Sequence, residues 1–324
     1  MTTTEVTQQA ATGSDVTSSL SRDVAFYFRC AVVVIGVVGT AANSLILYAM
    51  VASKQHKKHL LIVNQNALDL ASCVFLVITY SVKLSNIRLT GTSGYWLCLI
   101  IVSDTLVWWG IIGSKIGLAV LTIDRYLKVV HAVWSKKKLR NWMIYSAMAF
   151  SWSGSLIYLI TLAINTRSVT NGVCYIDVIW NNQVEKLVYA IWNFVSFNVI
   201  ILVIIVFCYW RILITIRRQA NVMARHRTTG PSTAQTQSHH LQTNVIKTMI
   251  LISAFFVITN LPINCYYLVW NVTENLVSAG NDYLALLFLL FLYSCTNPFI
   301  YAIKFDPVKH TLLSLIPCRT SEAI

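Results

Sequence analysis

Few residues of this sequence could do chemistry, and those that could lie inside or at the end of long apolar runs. Asp69 and Lys115 are each surrounded by apolar residues, and the triplet Asp124-Arg125-Tyr126 closes the run that holds Lys115. An ionised side chain within a membrane is costly unless it is paired, so residues of this kind mark functional positions by default. We therefore take these residues as the starting point for a functional site.

Other patterns that would indicate catalysis are missing from the sequence. It has no glycine-rich phosphate loop, no zinc-protease motif and no nucleophile elbow. The Cys residues do not follow the spacing of a zinc site, and most lie in or beside apolar runs, where Cys behaves as a small hydrophobe. The sequence thus predicts a protein that is not an enzyme.

Composition places the apolar runs in a membrane. Of the 324 residues, 56% are hydrophobic and only 11% are charged, whereas a soluble domain of this length needs more charge to cover its surface. Runs of about 20 apolar residues are long enough to cross the hydrocarbon core as helices. We predict an all-α membrane protein with seven spans, at residues 25–52, 60–84, 96–130, 141–164, 188–217, 244–270 and 283–303.

The net charge of +13 follows from the side of the membrane on which Lys and Arg lie. Most of them fall in the segments between spans one and two, three and four, and five and six, and in the C-terminal segment. By the positive-inside rule, these segments are cytoplasmic and the N-terminus is extracellular. The sequence therefore predicts a multi-pass protein of the plasma membrane in contact with lipid, and the basic charge needs no nucleic-acid partner.

The segments outside the spans have compositions of their own. Residues 1–24 are polar and rich in Thr and Ser, which predicts a disordered extracellular tail before the bundle at 25–303. Residues 218–243 are basic and then rich in Gly, Pro, Ser, Thr and Gln, which predicts a long flexible inner loop. Residues 304–324 are predicted to form a short amphipathic eighth helix and a cytoplasmic tail, with Cys318 as a palmitoylation candidate.

Two further features belong to the extracellular side. Cys98 and Cys174 lie at extracellular ends, in an oxidising compartment, which favours a disulfide between them. Asn271-Val272-Thr273 fits the acceptor pattern for N-glycosylation at Asn271.

Seven marks fall in order on the seven runs, and in this the chain resembles the rhodopsin-like (class A) G-protein-coupled receptors over roughly residues 25–318. The resemblance implies a seven-helix bundle that binds an extracellular ligand and activates a heterotrimeric G protein, with arrestin and receptor kinases as further partners. The marks are Asn43, Asp69, Asp124-Arg125-Tyr126, Trp152, Tyr209, Pro262 with Phe256 before it, and Asn297-Pro298-Phe299-Ile300-Tyr301.

The resemblance also assigns roles to single residues. Arg125 resembles the arginine that pairs with Asp124 at rest and meets the G-protein α-subunit when active. Tyr209 and Tyr301 resemble the tyrosines that swing inward and support the open state. The switch residues expected on this basis are Asp124, Arg125, Tyr126, Tyr209, Asn297, Pro298 and Tyr301.

A sodium ion is implied by the same resemblance. Asp69, Ser114, Ser294 and Asn297 match positions that bind sodium in many relatives, and oxygen ligands suit a hard cation. Cys98 and Cys174 likewise resemble the bridge that ties the second extracellular loop to the third helix.

Several positions depart from the family pattern in the relay core, which here comprises Lys115, Phe256, Asn260 and Pro262. Asn260 replaces an aromatic residue, Ile201 replaces a proline, and Lys115 stands where a branched apolar residue is expected. Lys115 either lowers sodium affinity by repulsion or pairs with Asp69.

Two more departures concern the ends of helices. Gln242 stands in place of the usual acidic partner of Arg125. Without that partner, the contacts that hold Arg125 in the resting state would be weaker, and basal activity would rise. Cys98 lies further from Arg125 than the family spacing, which predicts an irregular outer end of the third helix.

The ligand class stays open. Val107 stands where amine receptors carry an aspartate, and Phe291 stands where opsins carry the retinal lysine, so both classes are disfavoured. Asp104 remains available to hold a cation at the rim, and the polar floor with apolar walls suits a neutral small molecule, a lipid or a short peptide. The candidate lining residues are Asp104, Val107, Trp108, Ile263, Asn264, Tyr267 and Phe291.

Two alternatives come from other functional classes. A transporter or channel would explain Asp69 and Lys115 within the membrane, although no pair of similarly interrupted spans indicates inverted repeats. A receptor-like scaffold that does not signal would explain the altered relay residues.

Overall fold

The computed structural model describes the chain in segments that include all seven predicted spans. These segments are residues 3–57, 59–85, 87–175, 183–225, 233–273, 280–304, 309 and 311–312.

Helices account for almost all of the described chain. They are α1 (Thr3–Ala52), α2 (Leu60–Leu84), α3 (Gly91–Leu97), α4 (Thr105–Val130), α5 (Ala132–Lys138), α6 (Asn141–Thr166), α7 (Gln183–Phe194), α8 (Ile200–Arg225), α9 (Thr233–Thr273) and α10 (Asn281–Lys304). Within the described ranges, 7 helical stretches are long and apolar enough to cross a membrane. The predicted all-α, seven-helix fold is confirmed.

The third and fifth spans each consist of two helices joined by one π-helical turn. Cys98–Val102 joins α3 to α4, and Val195–Val199 joins α7 to α8. Just before α4, Asp104 adopts a left-handed backbone conformation with φ of 60°, which Asp tolerates better than most residues. The irregular outer end of the third helix, predicted from the position of Cys98, is confirmed.

Helix extends further than composition predicted at two places. Helix α1 begins at Thr3 instead of after a disordered tail, and α8 and α9 reach Arg225 and Thr233, inside the predicted 218–243 loop. Adding a residue to an existing helix costs far less than nucleating one, so polar residues continue helices that apolar spans have started. Residues 226–232 lie outside the described part of the chain.

The predicted eighth helix falls mostly outside the described residues. Within residues 304–324 only 304, 309, 311 and 312 are described, each as helical. The eighth helix and palmitoylation of Cys318 therefore stay predictions.

A short hairpin covers one end of the bundle. Strands β1 (Ser168–Thr170) and β2 (Val173–Tyr175) pair antiparallel, and the turn residues Asn171 and Gly172 have φ of 54° and 77°, as a tight two-residue hairpin turn requires. The predicted Cys98–Cys174 disulfide is present, with the two Cα atoms 5.5 Å apart. It fixes the hairpin to the start of the third span.

The buried residues form two hydrophobic clusters. One contains Leu118, Tyr209, Phe256 and Tyr301, and the other contains Val107, Ile111, Ile263 and Phe291. Along α2, α4, α9 and α10, buried polar residues lie between members of the two clusters, and the π-helical turn of the fifth span adds one more. We call this set the polar layer, and its members are Asp69, Ser114, Lys115, Asn198, Asn260, Ser294 and Asn297.

Candidate functional site

The acidic half of the polar layer is centred on Asp69 of α2, which is fully buried. Ser114 of α4 donates to its Oδ1 atom at 2.7 Å, and Asn297 of α10 donates to its Oδ2 atom at 2.8 Å. Gln65 donates in turn to the hydroxyl of Ser114. One carboxylate thus ties three helices together, and the structure brings together three of the four residues expected to bind sodium.

These residues also fit the sodium ion that the resemblance implies. The Ser294 hydroxyl and the Asn297 Oδ1 atom are buried, and neither has a hydrogen-bond partner among the described residues. Among the described residues, none of the ion pairs engages Asp69, so its charge is not neutralised by a basic side chain. A single carboxylate with neutral oxygen atoms beside it is a donor set that suits a hard, small cation.

The basic half of the polar layer is centred on Lys115, whose exposed fraction is 3%. Its Nζ atom donates to Asn198 Oδ1 at 3.4 Å and lies 6.0 Å from the centre of the Phe256 ring. The predicted alternative in which Lys115 pairs with Asp69 is not formed. Successive residues of a helix point about 100° apart, so Ser114 faces α2 and α10 while Lys115 faces the fifth and sixth spans.

Asn260 of α9 completes the basic half. Its amide nitrogen donates to the Phe256 carbonyl at 3.1 Å and to Thr259 Oγ1 at 3.2 Å. Its Oδ1 atom is buried and has no hydrogen-bond partner in the part of the chain that the structure describes. Helix α9 continues through Pro262, so the relay residues Phe256, Asn260 and Pro262 share one helix.

The triplet at the end of α4 has a different pairing from the expected one. Asp124 Oδ2 accepts a hydrogen bond from Lys128 at 2.9 Å, whereas Arg125 Nε lies 4.0 Å from the same oxygen. A cavity of about 180 Å³ beside these side chains is lined in part by Asp124, Arg125 and Lys128. Arg125 therefore faces an opening at the end of the bundle and is held only loosely by Asp124.

The remaining switch residues lie close to that end. Tyr209 and Tyr301 are both buried in the same hydrophobic cluster, and the Tyr209 hydroxyl accepts from Ser253 at 3.3 Å. The Tyr301 hydroxyl has no hydrogen-bond partner among the described residues. Tyr126 packs against Phe207, and Pro298 lies within α10 without ending it.

At the hairpin end, Asp104 is already paired. Lys83 Nζ lies 2.6 Å from Asp104 Oδ2 and 4.6 Å from the centre of the Tyr80 ring. A cavity of about 310 Å³ nearby has Arg29, Lys83 and Arg88 among its lining residues. A ligand's cation would therefore have to displace Lys83 from Asp104, and the role of Asp104 at the pocket rim stays a prediction.

The other predicted pocket residues separate into two groups. Val107, Ile263 and Phe291 lie in one hydrophobic cluster, with Trp108 packed against it. Farther along α9, Asn264 donates to the Asn260 carbonyl at 2.6 Å, and Tyr267 stacks edge-on with Trp270. The first group forms a continuous apolar wall beside the polar layer.

Asn271, the predicted glycosylation acceptor, has an exposed fraction of 2%. Its Nδ2 atom, which would carry the glycan, donates to the Tyr267 carbonyl at 2.6 Å. Glycosylation would require this side chain to leave its position, so it stays a prediction without structural support.

Sequence reasoning missed several functional neighbours. Lys128 follows Asp124 at the spacing of a helical ion pair and could have been found by that spacing. Asn64 and Gln65 are amides within an apolar run, and Asn64 accepts from Trp152 Nε1 at 2.8 Å. Asn198 carried no signal, because its position depends on a π-helical turn.

Comparison with known proteins identifies a family and a relative. A family model described as "7 transmembrane receptor (rhodopsin family)" matches residues 42–301. Somatostatin receptor type 5 of Bos taurus is 24% identical over 294 residues, which cover 87% of this chain and 74% of the bovine protein. The family match contains Asn43, Asp69, the triplet at the end of α4 and Tyr301.

Proposed function

Because this chain belongs to the rhodopsin family of seven-transmembrane receptors, we propose that it is a G-protein-coupled receptor that transmits an extracellular signal to a heterotrimeric G protein. The observation that carries the proposal is the position of Arg125. It faces an opening of about 180 Å³ at the end of the bundle and is only loosely held, at 4.0 Å from Asp124. A docked partner can therefore engage its guanidinium without first breaking a short ion pair.

The polar layer supplies the connection between the two ends. Helix α4 contributes Ser114 and Lys115 to this layer and carries the triplet that contains Arg125 in its last two turns. A ligand that contacts the apolar wall of Val107, Ile263 and Phe291 lies next to the polar layer. If the ligand binds one arrangement of α4 and α9 better than another, it shifts the population toward that arrangement.

Sodium binding to the acidic half belongs to the same proposal. Asp69 would supply the negative charge, and Ser114, Ser294 and Asn297 would supply neutral oxygen atoms. Such an ion would stabilise the arrangement in which α2, α4 and α10 converge on Asp69. A ligand that favours another arrangement would then be opposed by sodium.

The bovine relative does not identify the ligand of this receptor. That protein is named for somatostatin, and 24% identity supports the family alone. A neutral small molecule, a lipid and a short peptide remain the proposed ligand classes, and arrestin and receptor kinases remain proposed partners.

Guanine-nucleotide exchange in membranes tests the proposed coupling. We expect the native receptor to accelerate exchange on at least one Gα subtype, and we expect Arg125→Ala to remove this acceleration. Losing one partner of a buried interfacial charge contact costs about 2–5 kcal/mol, so the exchange rate should fall by about 30-fold or more.

Arg140→Ala is a matched control, because Arg140 is an exposed basic residue near the same end of the bundle. It should keep most of the activity at equal surface expression. If Arg125→Ala couples as well as the native receptor, the assignment of Arg125 is wrong. If the native protein reaches the surface and drives no Gα subtype, the non-signalling scaffold is favoured.

A further inference from the structure

The basic half of the polar layer contains a buried cation that no described residue pairs with an anion. Lys115 has an exposed fraction of 3%, and none of the ion pairs among the described residues includes it. An ammonium group has three donors, and its one hydrogen bond within the described chain is the long contact of 3.4 Å to Asn198 Oδ1. A buried charge of this kind is costly until a counter-charge is supplied.

Asn198 adds a second donor at the same place. Its exposed fraction is 5%, and its Nδ2 atom has no hydrogen-bond partner among the described residues. It lies in the π-helical turn Val195–Val199, which interrupts the fifth span. Such turns within helices occur frequently at functional sites, and this one places an amide beside a charged amine.

Asn260 adds an acceptor on the neighbouring helix. Its amide nitrogen donates to the Phe256 carbonyl and to Thr259, while its Oδ1 atom is buried and has no partner within the described segments. Lys115, from α4, lies 6.0 Å from the centre of the Phe256 ring. The cluster of Lys115, Asn198 and Asn260 thus has unused donors that include a positive charge, and one unused acceptor.

We propose that this cluster binds the carboxylate of an anionic ligand. The two carboxylate oxygens accept hydrogen bonds from Lys115 Nζ and Asn198 Nδ2, and Asn260 Oδ1 accepts from a hydroxyl or amide N–H of the same ligand. The apolar body of the ligand packs against Val107 and Ile263, the wall beside the polar layer. This inference rests on the proposed receptor function and names its ligand class.

The charge at the hairpin end of the bundle agrees with an anionic ligand. Arg29, Lys83 and Arg88 line the cavity of about 310 Å³ there, and its lining includes no acidic residue among those described. Asp104 offsets only the charge of Lys83. A basic entrance raises the local concentration of anions and speeds their association.

Thermal unfolding of the purified receptor in lipid nanodiscs tests the proposal with simple probes. The probes are acetate, propionate and butyrate, each compared with its neutral amide at the same concentration and at constant chloride. A ligand that binds only the folded state raises the unfolding temperature with its concentration. We expect a rise of about 2 °C or more for the carboxylates and none for the amides.

The variants separate the cluster from the rest of the surface. Lys115→Met keeps the length of the side chain and removes the charge, and it should fold normally while losing the response to carboxylates. Lys115→Arg keeps the charge and should retain part of the response. Lys186→Met is the matched control, since Lys186 lies beside Trp270 away from the cluster, and it should respond like the native protein.

Several results would overturn the carboxylate site. These are a response that persists in Lys115→Met, a response to the amides as large as that to the acids, a response to chloride that the carboxylates do not exceed, or no response of the native protein. Nucleotide exchange is measured on the same preparations. Nucleotide exchange without a carboxylate response would contradict the anion site and support the receptor function. A carboxylate response without nucleotide exchange would support the anion site and contradict coupling to a G protein.

Discussion

Two basic side chains compete for one carboxylate at the end of α4. Asp124 accepts from Lys128 at 2.9 Å, one helical turn later, and Arg125 stays 4.0 Å away. Because Asp124 is buried, with an exposed fraction of 6%, its contact with Lys128 is stronger than a surface pair would be. Lys128 thus holds the acid that the resemblance assigns to Arg125, which leaves Arg125 ready for a partner.

Removing the charge of Lys128 should therefore strengthen the contact between Asp124 and Arg125 that characterises the resting state. In Lys128→Gln, Asp124 loses its nearest cation and Arg125 can approach it. We expect basal nucleotide exchange to fall by about two- to fivefold, which corresponds to a shift of roughly 0.5–1 kcal/mol toward the resting state. The measurement is ligand-free exchange at matched surface expression.

Lys136→Gln serves as the control, because Lys136 is an exposed lysine of α5 that lies outside this contact. It should leave basal exchange unchanged. An equal or higher basal rate in Lys128→Gln would show that Lys128 does not hold Asp124 away from Arg125.

How much of the site could be predicted depends on the residue. Asp69, Ser114 and Asn297 were predicted as one group by resemblance and do meet. The sequence could not predict which helices the Lys115 side chain faces, since one position on a helix is compatible with several neighbours. Asn198 was missed because it lies within a π-helical turn, which changes the directions in which its side chains point. Such a turn leaves no mark in composition.

Helices α2 and α4 approach each other closely at Gly110. A Cβ atom at this position would lie 2.2 Å from Ser72 Oγ and 3.0 Å from the Ser72 backbone nitrogen. The backbone of Ser72 cannot move without moving α2, so only glycine permits this approach. The contact lies one turn from Ser114 and thereby helps to hold Ser114 against Asp69.

Gly110→Ala should push the two helices apart. Overpacking of this kind costs about 1–3 kcal/mol, so we expect the unfolding temperature to drop, and a weaker Ser114–Asp69 contact to accompany it. The measurement is thermal unfolding in lipid nanodiscs.

Gly154→Ala is the matched control on α6. The three atoms nearest its Cβ atom would all belong to the ring of Phe150, which is 62% exposed and can turn aside, while alanine has the better helix propensity. Its stability should stay the same or rise. Equal losses in both variants would show that Gly110 is not a close-contact position.

At the scale of elements, apolar runs predicted the spans well, because a membrane requires unbroken apolar helices. The second span was predicted at the residues that form α2. Breaks within spans were harder, since π-helical turns keep the apolar pattern, and only the position of Cys98 predicted one. The polar segments 1–24 and 218–243 were predicted as a disordered tail and a flexible loop, because composition does not report helix propagation from a neighbouring span.

The whole molecule has two chemically different ends. The disulfide Cys98–Cys174 and the hairpin lie at one end, and Arg29 of α1 is tied to the same end by its hydrogen bond to the Lys83 carbonyl at 2.9 Å. The lysines of α5 lie beyond the far end of α4. A disulfide persists in an oxidising compartment, and basic segments stay in the cytoplasm, so both features predict the same orientation.

Epitope tags test that orientation at three points along the chain. A tag before residue 1 and a tag inserted between Asn171 and Gly172, in the hairpin turn, should bind antibody on intact cells. A tag after residue 324 should bind only after the cells are permeabilised. Staining of the N-terminal and C-terminal tags on the same side would rule out seven crossings. Staining of only the C-terminal tag on intact cells would show that the bundle has the opposite orientation. Arg125 would then lie outside the cell, where it could not contact a G protein.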